Sequence, residues 1–162
     1  MTARMLHLIL SRVMERVVKF RGKDVKSGEW VYGSLVTYPN GRCEIVVFDD
    51  GEILEYEVDA ESVGQFTGML DKSGKEIYEG DVVCNKEIGG YGLEYLGVVR
   101  YYEEDCRFGI DTTAINKFTK RVLFSVGESI INDGHCTITY TNEYEVLGNI
   151  HDNPNLLSDG RN

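Results

Sequence analysis

Proline is scarce in this chain, two in 162 residues, and no apolar run is long enough to span a bilayer. The longest such stretch, within Arg4–Ser11, is followed by Arg12, Glu15 and Arg16 in place of a small-residue cleavage site, so no secretory signal is expected. Cysteine is limited to Cys43, Cys84, Cys106 and Cys136, none in a Cys-x-x-Cys pair. Free thiols in a reducing cytoplasm are the expectation. Positive charge is also short, and the net charge is −10. An acidic body disfavours sequence-independent binding to phosphate backbones, because that affinity comes from Lys and Arg.

Motifs of the common chemistries are missing as well. Gly68 to Lys75 comes nearest to a phosphate-binding loop, but five residues separate Gly68 from Gly74 and Glu76 stands where a magnesium-binding hydroxyl belongs. Gly90-Tyr91-Gly92 lacks the third glycine of a dinucleotide fingerprint, with Tyr95 in its place. His135 and Cys136 are adjacent, so in a strand they point to opposite faces and cannot easily share an ion. Asp49, Asp50 and Glu52 lack the spacing of a calcium loop. No serine sits in a Gly-x-Ser-x-Gly elbow. Glu55, Glu57 and Glu79 can pair as acid and base only by tertiary proximity, and a solvated face is the simpler reading. No catalytic, cofactor or metal residues are therefore assigned, and no enzyme is expected.

What the chain does hold is 18 glycines and ten tyrosines, which suits many short strands joined by tight turns. The length fits one domain or two small lobes with a hydrophobic core that needs no disulfide. Charge is uneven. Residues 1–26 carry seven Lys and Arg against Glu15 and Asp24, a net of +5, so the remainder carries −15. A basic arm on an acidic body can dock on a neighbouring subunit or reach an acidic partner, nucleic acid included.

From Thr2 to Val18 the pattern is helical, with Leu6, Ile9, Leu10, Val13 and Val17 on one stripe. Three readings stand: a helix exchanged with another subunit, a helix folded back on its own body, or a stretch upstream of a natural start at Met14. Strands follow over Lys19–Tyr38, with Trp30, Tyr32 and Ser34 on one face and a bulge or close backbone approach at Gly33. Cys43–Phe48 and Glu52–Val58 form a hairpin about Asp49-Asp50-Gly51. In its second strand Ile53, Glu55 and Glu57 alternate with Leu54, Tyr56 and Val58, giving one wet acidic face. Val63 to Val83 organises the rest: Gln65–Leu70 and Glu76–Tyr78 flank the turn Asp71–Lys75, where Gly74 supplies positive φ and Asp71 bonds back to the backbone. Glu79-Gly80-Asp81 bends again. Strands are expected at 81–85, 95–102, 106–110, 122–125, 136–141 and 143–150. Trp30, Tyr32 and Tyr78 make a candidate aromatic interaction surface.

Three blocks resemble the YopX family, small proteins of phages and mobile elements of Gram-positive bacteria. They are Lys19–Asp24 with Gly28–Gly33, then Val63–Gly68 through Asp71–Asp81, and Glu145–Ile150 with Asn153-Pro154 and Leu156-Leu157. The resemblance implies a β-rich fold ending in an SH3-like barrel, and self-association. It carries no catalytic residues across. The resulting expectation is a mainly β (α+β), antiparallel, two-lobed protein: a helical arm at 1–18, an N-terminal β lobe at 19–62, an SH3-like barrel lobe at 63–157 and a loose tail at 158–162. Its expected role is a cytoplasmic phage or prophage accessory protein that forms a homo-oligomer and binds a host or phage protein. The arm residues Leu6, Ile9, Leu10, Val13 and Val17 are the candidate oligomer interface. Nucleic-acid binding through the basic arm is the alternative, and no membrane association is expected.

Overall fold

In the computed structural model the described residues are 17–88, 93–112, 121–123, 130–132, 135–137 and 144–157. Their architecture is two antiparallel sheets and a small ribbon. The first sheet is built from β1 (Phe20–Lys23), β2 (Trp30–Thr37), β3 (Cys43–Asp49), β4 (Glu52–Val58), β5 (Gly64–Leu70) and β6 (Glu76–Tyr78), in the spatial order β4-β3-β2-β1-β5-β6. The second holds β7 (Asp81–Ile88), β8 (Leu93–Tyr102), β9 (Arg107–Asp111), β10 (Arg121–Leu123) and β13 (Glu145–Asn149), in the order β10-β9-β8-β7-β13. A ribbon pairs β11 (Ile130–Asn132) with β12 (His135–Thr137).

The hairpins form where the turn chemistry places them. Asp50 and Gly51, both at positive φ, connect β3 to β4 in register from Asp49↔Glu52 to Cys43↔Val58. Between β5 and β6, Gly74 sits at φ +87°. The Asp71 carboxylate there accepts hydrogen bonds from the Ser73 and Lys75 amides, the Ser73 hydroxyl and the Val146 amide of β13. Burial pushes this acid up, but those four donors prevail and hold it at about 2. The turn thereby ties the first sheet to the second. In β2, Gly33 answers a close approach: a Cβ there would lie 2.2 Å from the Val46 carbonyl oxygen.

The first sheet curls. Asp24 bridges Val58, the Val25 amide donates to the Glu57 carbonyl (2.9 Å), and the Asp59 amide donates to the Lys23 carbonyl (2.9 Å). Inside the curl Ile45 and Val58 are buried. A second core gathers Ile77 of β6 with Val83, Val99, Ile110 and Tyr144, with Met69 and Val146 packed against it. Ile77 and Met69 come from the first sheet, so the two sheets share this core.

One expectation changes. The closed SH3-like barrel over 63–157 is not what the described strands make. β5 pairs with β1 (Phe20↔Gln65, Arg21↔Gly64) and belongs to the first sheet, while β10 and β13 remain the ends of an open second sheet. β6 is three residues long, and the Glu79-Gly80 bend then carries the chain into the second sheet, where the Gly80 amide donates to the Val99 carbonyl. The division at 62/63 therefore falls within one sheet. Among the described residues helix is limited to 3-10 turns at Ala60–Ser62, Glu103–Asp105 and Pro154–Leu157. The helical arm, apart from Val17 and Val18, lies outside the described residues, as does the 158–162 tail.

Candidate functional site

β1 is short and its residues alternate sharply. Gly22 faces Val58 within the curl, whereas Lys19, Arg21 and Lys23 lie along the opposite side. The register with β2 sets Arg21 opposite Tyr32 and Lys23 opposite Trp30, so aromatic side chains stand beside the cations. Each cation meets a carboxylate from a distant part of the chain. Lys19 Nζ lies 2.7 Å from Glu76 of β6, Arg21 Nη1 lies 2.7 Å from Asp81 at the start of β7, and Lys23 Nζ lies 2.6 Å from Asp152 after β13.

The middle rung is the buried one. Both side chains are nearly inaccessible, at 6% and 2% exposure. Arg21 Nη2 donates to the Glu79 carbonyl (3.1 Å), and the guanidinium lies 4.6 Å from the Trp30 ring centre and 5.0 Å from that of Tyr78. Arg21 Nε has no hydrogen-bond partner. Asp81 also accepts from the Tyr78 amide (2.8 Å). Burial raises the Asp81 acid, and the Arg21 cation only partly offsets this. The Tyr78 hydroxyl donates to Glu76, and burial together with that carboxylate pushes the phenol far up.

The outer rungs close the ends. Asp152 accepts from Asn149 Nδ2 (2.8 Å), Lys23 Nζ and Trp30 Nε1 (2.7 Å), three donors that hold its carboxyl well below the usual range. His151 packs edge-on against Trp30, with ring centres 5.8 Å apart. The segment after β13 is thus clasped to β1 and β2. Lys19 and Tyr78 lower the Glu76 acid against the opposing effect of its burial.

The aromatic candidates do come together. Tyr32 and Tyr78 make an edge-on contact at 5.5 Å, and both Trp30 and Tyr78 flank Arg21. They do so mainly as packing: Tyr78 is buried, Trp30 is half-buried and engaged by Asp152, and only Tyr32 is well exposed. Of the candidate oligomer residues, Leu6, Ile9, Leu10 and Val13 lie outside the described residues, while Val17 is 61% exposed just ahead of β1. Among the described residues no three His, Cys, Asp or Glu side chains cluster as a metal site, and no helix is long and apolar enough to cross a membrane.

One surface was missed by sequence reasoning. Register pairs Phe48 with Ile53, Val46 with Glu55 and Ser34 with Val46. Val36, Val46, Phe48 and Ile53 therefore share the outer face of β2–β3–β4, on the side where Glu55 and Glu57 also point. Phe48 is 72% and Ile53 60% exposed. The available signal was Ile53 itself, an apolar residue on a strand face otherwise made of glutamates.

The crystal structure of protein EF1440 from Enterococcus faecalis is similar at 22% identity and a TM-score of 0.46, covering 87% of this chain and 98% of that one. No curated protein matches significantly. The family model described as YopX protein matches residues 19–158, which include every rung of the ladder from Lys19 to Asp152. A match over most of the chain makes this protein a member of the YopX family.

Proposed function

We propose that this chain is a non-enzymatic, self-assembling accessory protein of a phage or prophage, working in the cytoplasm of the bacterial host by offering surfaces to other protein chains. The observation that carries this reading is the placement of charged and apolar groups. Lys19, Arg21 and Lys23 are matched inside the fold by Glu76, Asp81 and Asp152, so that part of the basic N-terminal region is spent on internal pairing rather than held out to phosphates. Phe48, Ile53 and Val17 are instead turned to solvent, as apolar side chains are where another chain will cover them.

Light scattering on the full chain and on a variant lacking Met1–Val18 tests the reading. The full chain is expected to be oligomeric and the shortened one smaller; a monomeric full chain overturns self-assembly. A parallel salt titration with duplex and single-stranded DNA is expected to show no binding at physiological ionic strength. Tight, salt-sensitive binding that disappears with Met1–Val18 would establish the nucleic-acid reading instead.

A further inference from the structure

We infer that the outer face of β2–β3–β4 around Phe48 and Ile53 is the docking site for the N-terminal segment Met1–Arg16 of a second copy of this chain. The inference rests on the self-assembly reading and adds to it the receiving surface. Charge complementarity is the first argument. On the face that holds Phe48 and Ile53 stand Glu55 and Glu57, both exposed, with Asp50 at the hairpin tip, and between Cys43 and Val58 there is no Lys or Arg. Met1–Arg16 carries Arg4, Arg12 and Arg16 against Glu15 alone, with Leu6, Ile9, Leu10 and Val13 recurring on one stripe. An apolar centre flanked by Glu55 and Glu57 therefore has its counterpart, an apolar stripe flanked by guanidiniums, in the same sequence.

Direction is the second argument, and it favours another copy over the chain's own segment. β1 enters at Phe20, level with Gly33, and the residues before it lead towards the Val36–Thr37 end of β2. β3 runs antiparallel to β2 with Ser34 level with Val46, and continuing that register sets Phe48 level with Tyr32, towards the opposite end. Val17 and Val18 are 61% and 48% exposed, so the approach to β1 is not laid against its own body. To cover Phe48 in its own molecule the segment would have to reverse. In a second molecule it needs no reversal. Such head-to-tail contact buries a different patch on each partner.

Three proteins decide the matter, each checked for native circular dichroism: the full chain, Phe48→Asp/Ile53→Asp, and the chain lacking Met1–Val18. Both substituted positions are solvent-facing, so the fold is expected to survive. Each altered protein is expected to lose assembly by sedimentation, and an equimolar mixture to form a complex, because one retains the segment and the other the hairpin. A hairpin variant that assembles like the full chain overturns the docking site while leaving self-assembly intact. A mixture that stays monomeric, when each component alone is monomeric, puts the segment on its own molecule and overturns the second copy. A full chain that is itself monomeric removes both proposals. Glu55→Lys/Glu57→Lys, which leaves the apolar pair untouched, is expected to weaken assembly at least tenfold, and adding Arg12→Glu/Arg16→Glu to the same chain to recover most of it. No loss with the lysines removes the charge argument and overturns the site.

Discussion

Arg21 and Asp81 are a buried ion pair, and their worth depends on both being present. Taking Arg21 to Met leaves a carboxylate among apolar neighbours, and a loss of about 3–5 kcal/mol is expected in urea unfolding at neutral pH. Asp81 already has a raised folded-state pKa, and losing the cation raises it further. A raised acid opposes folding once ionised, so the loss should shrink as pH falls below that value and grow as pH rises through it. Adding Asp81→Leu should return much of the stability; a double variant as weak as the single one means the guanidinium acts through its aromatic stacking instead. Two glycines separate backbone strain from steric crowding. At Gly74 a new Cβ meets nothing within 4 Å, so Gly74→Val should cost only the strain of positive φ, about 1–2 kcal/mol. Gly33→Ala puts a Cβ 2.2 Å from the Val46 carbonyl oxygen and must part β2 from β3, so it should cost more. The reverse order in thermal melts would contradict this geometry.

At the scale of elements the clasp between β1–β2 and the segment after β13 depends on one carboxylate. Asp152 is about one-third exposed, so solvent weakens its bonds, and Asp152→Asn should cost on the order of 1 kcal/mol at pH 7. Its folded-state pKa is depressed, so this stabilisation is complete above the unfolded value near ~4 and fades as pH falls below it. Unfolding of the parent and the variant should converge in that acid range; a constant difference down to low pH would assign the effect to packing of Trp30 and His151. Hairpins were the most legible elements in the sequence, because their chemistry is local. Asp49-Asp50-Gly51 and Asp71–Lys75 fix β3–β4 and β5–β6 through their own turns. The ladder was not legible: Lys23 and Asp152 are 129 positions apart, and no period or spacing relates them. The barrel expectation failed for a similar reason, since nothing near Gly64 announces that β5 will pair backwards with β1.

Across the whole molecule the two sheets are joined by shared core residues, by Asp71 on Val146, and by the ladder. They should therefore unfold together. The only tryptophan, Trp30, stands at the junction, so its fluorescence reports the clasp while far-UV circular dichroism reports the strands. Coincident denaturation midpoints are expected. If fluorescence changes first, the segment after β13 opens as a separate unit. The aromatic set shows how far sequence reaches at this scale. Trp30, Tyr32 and Tyr78 lie close together, with Trp30 and Tyr78 flanking the Arg21 cation and Tyr32 against Tyr78, and the exposed pair Phe48–Ile53 adds a second outward patch.

The distance that β1 spans in sequence also bears on how the protein is made. Lys23 and Trp30 are synthesised well before the carboxylate they await, which follows 129 and 122 positions later. A nascent chain can close the β3–β4 hairpin as it emerges, yet it cannot complete the junction until Asp152 has been made. A message cut short ahead of the Asp152 codon would yield a product with its strands drawn up and its seam unfastened, a natural substrate for cellular proteases.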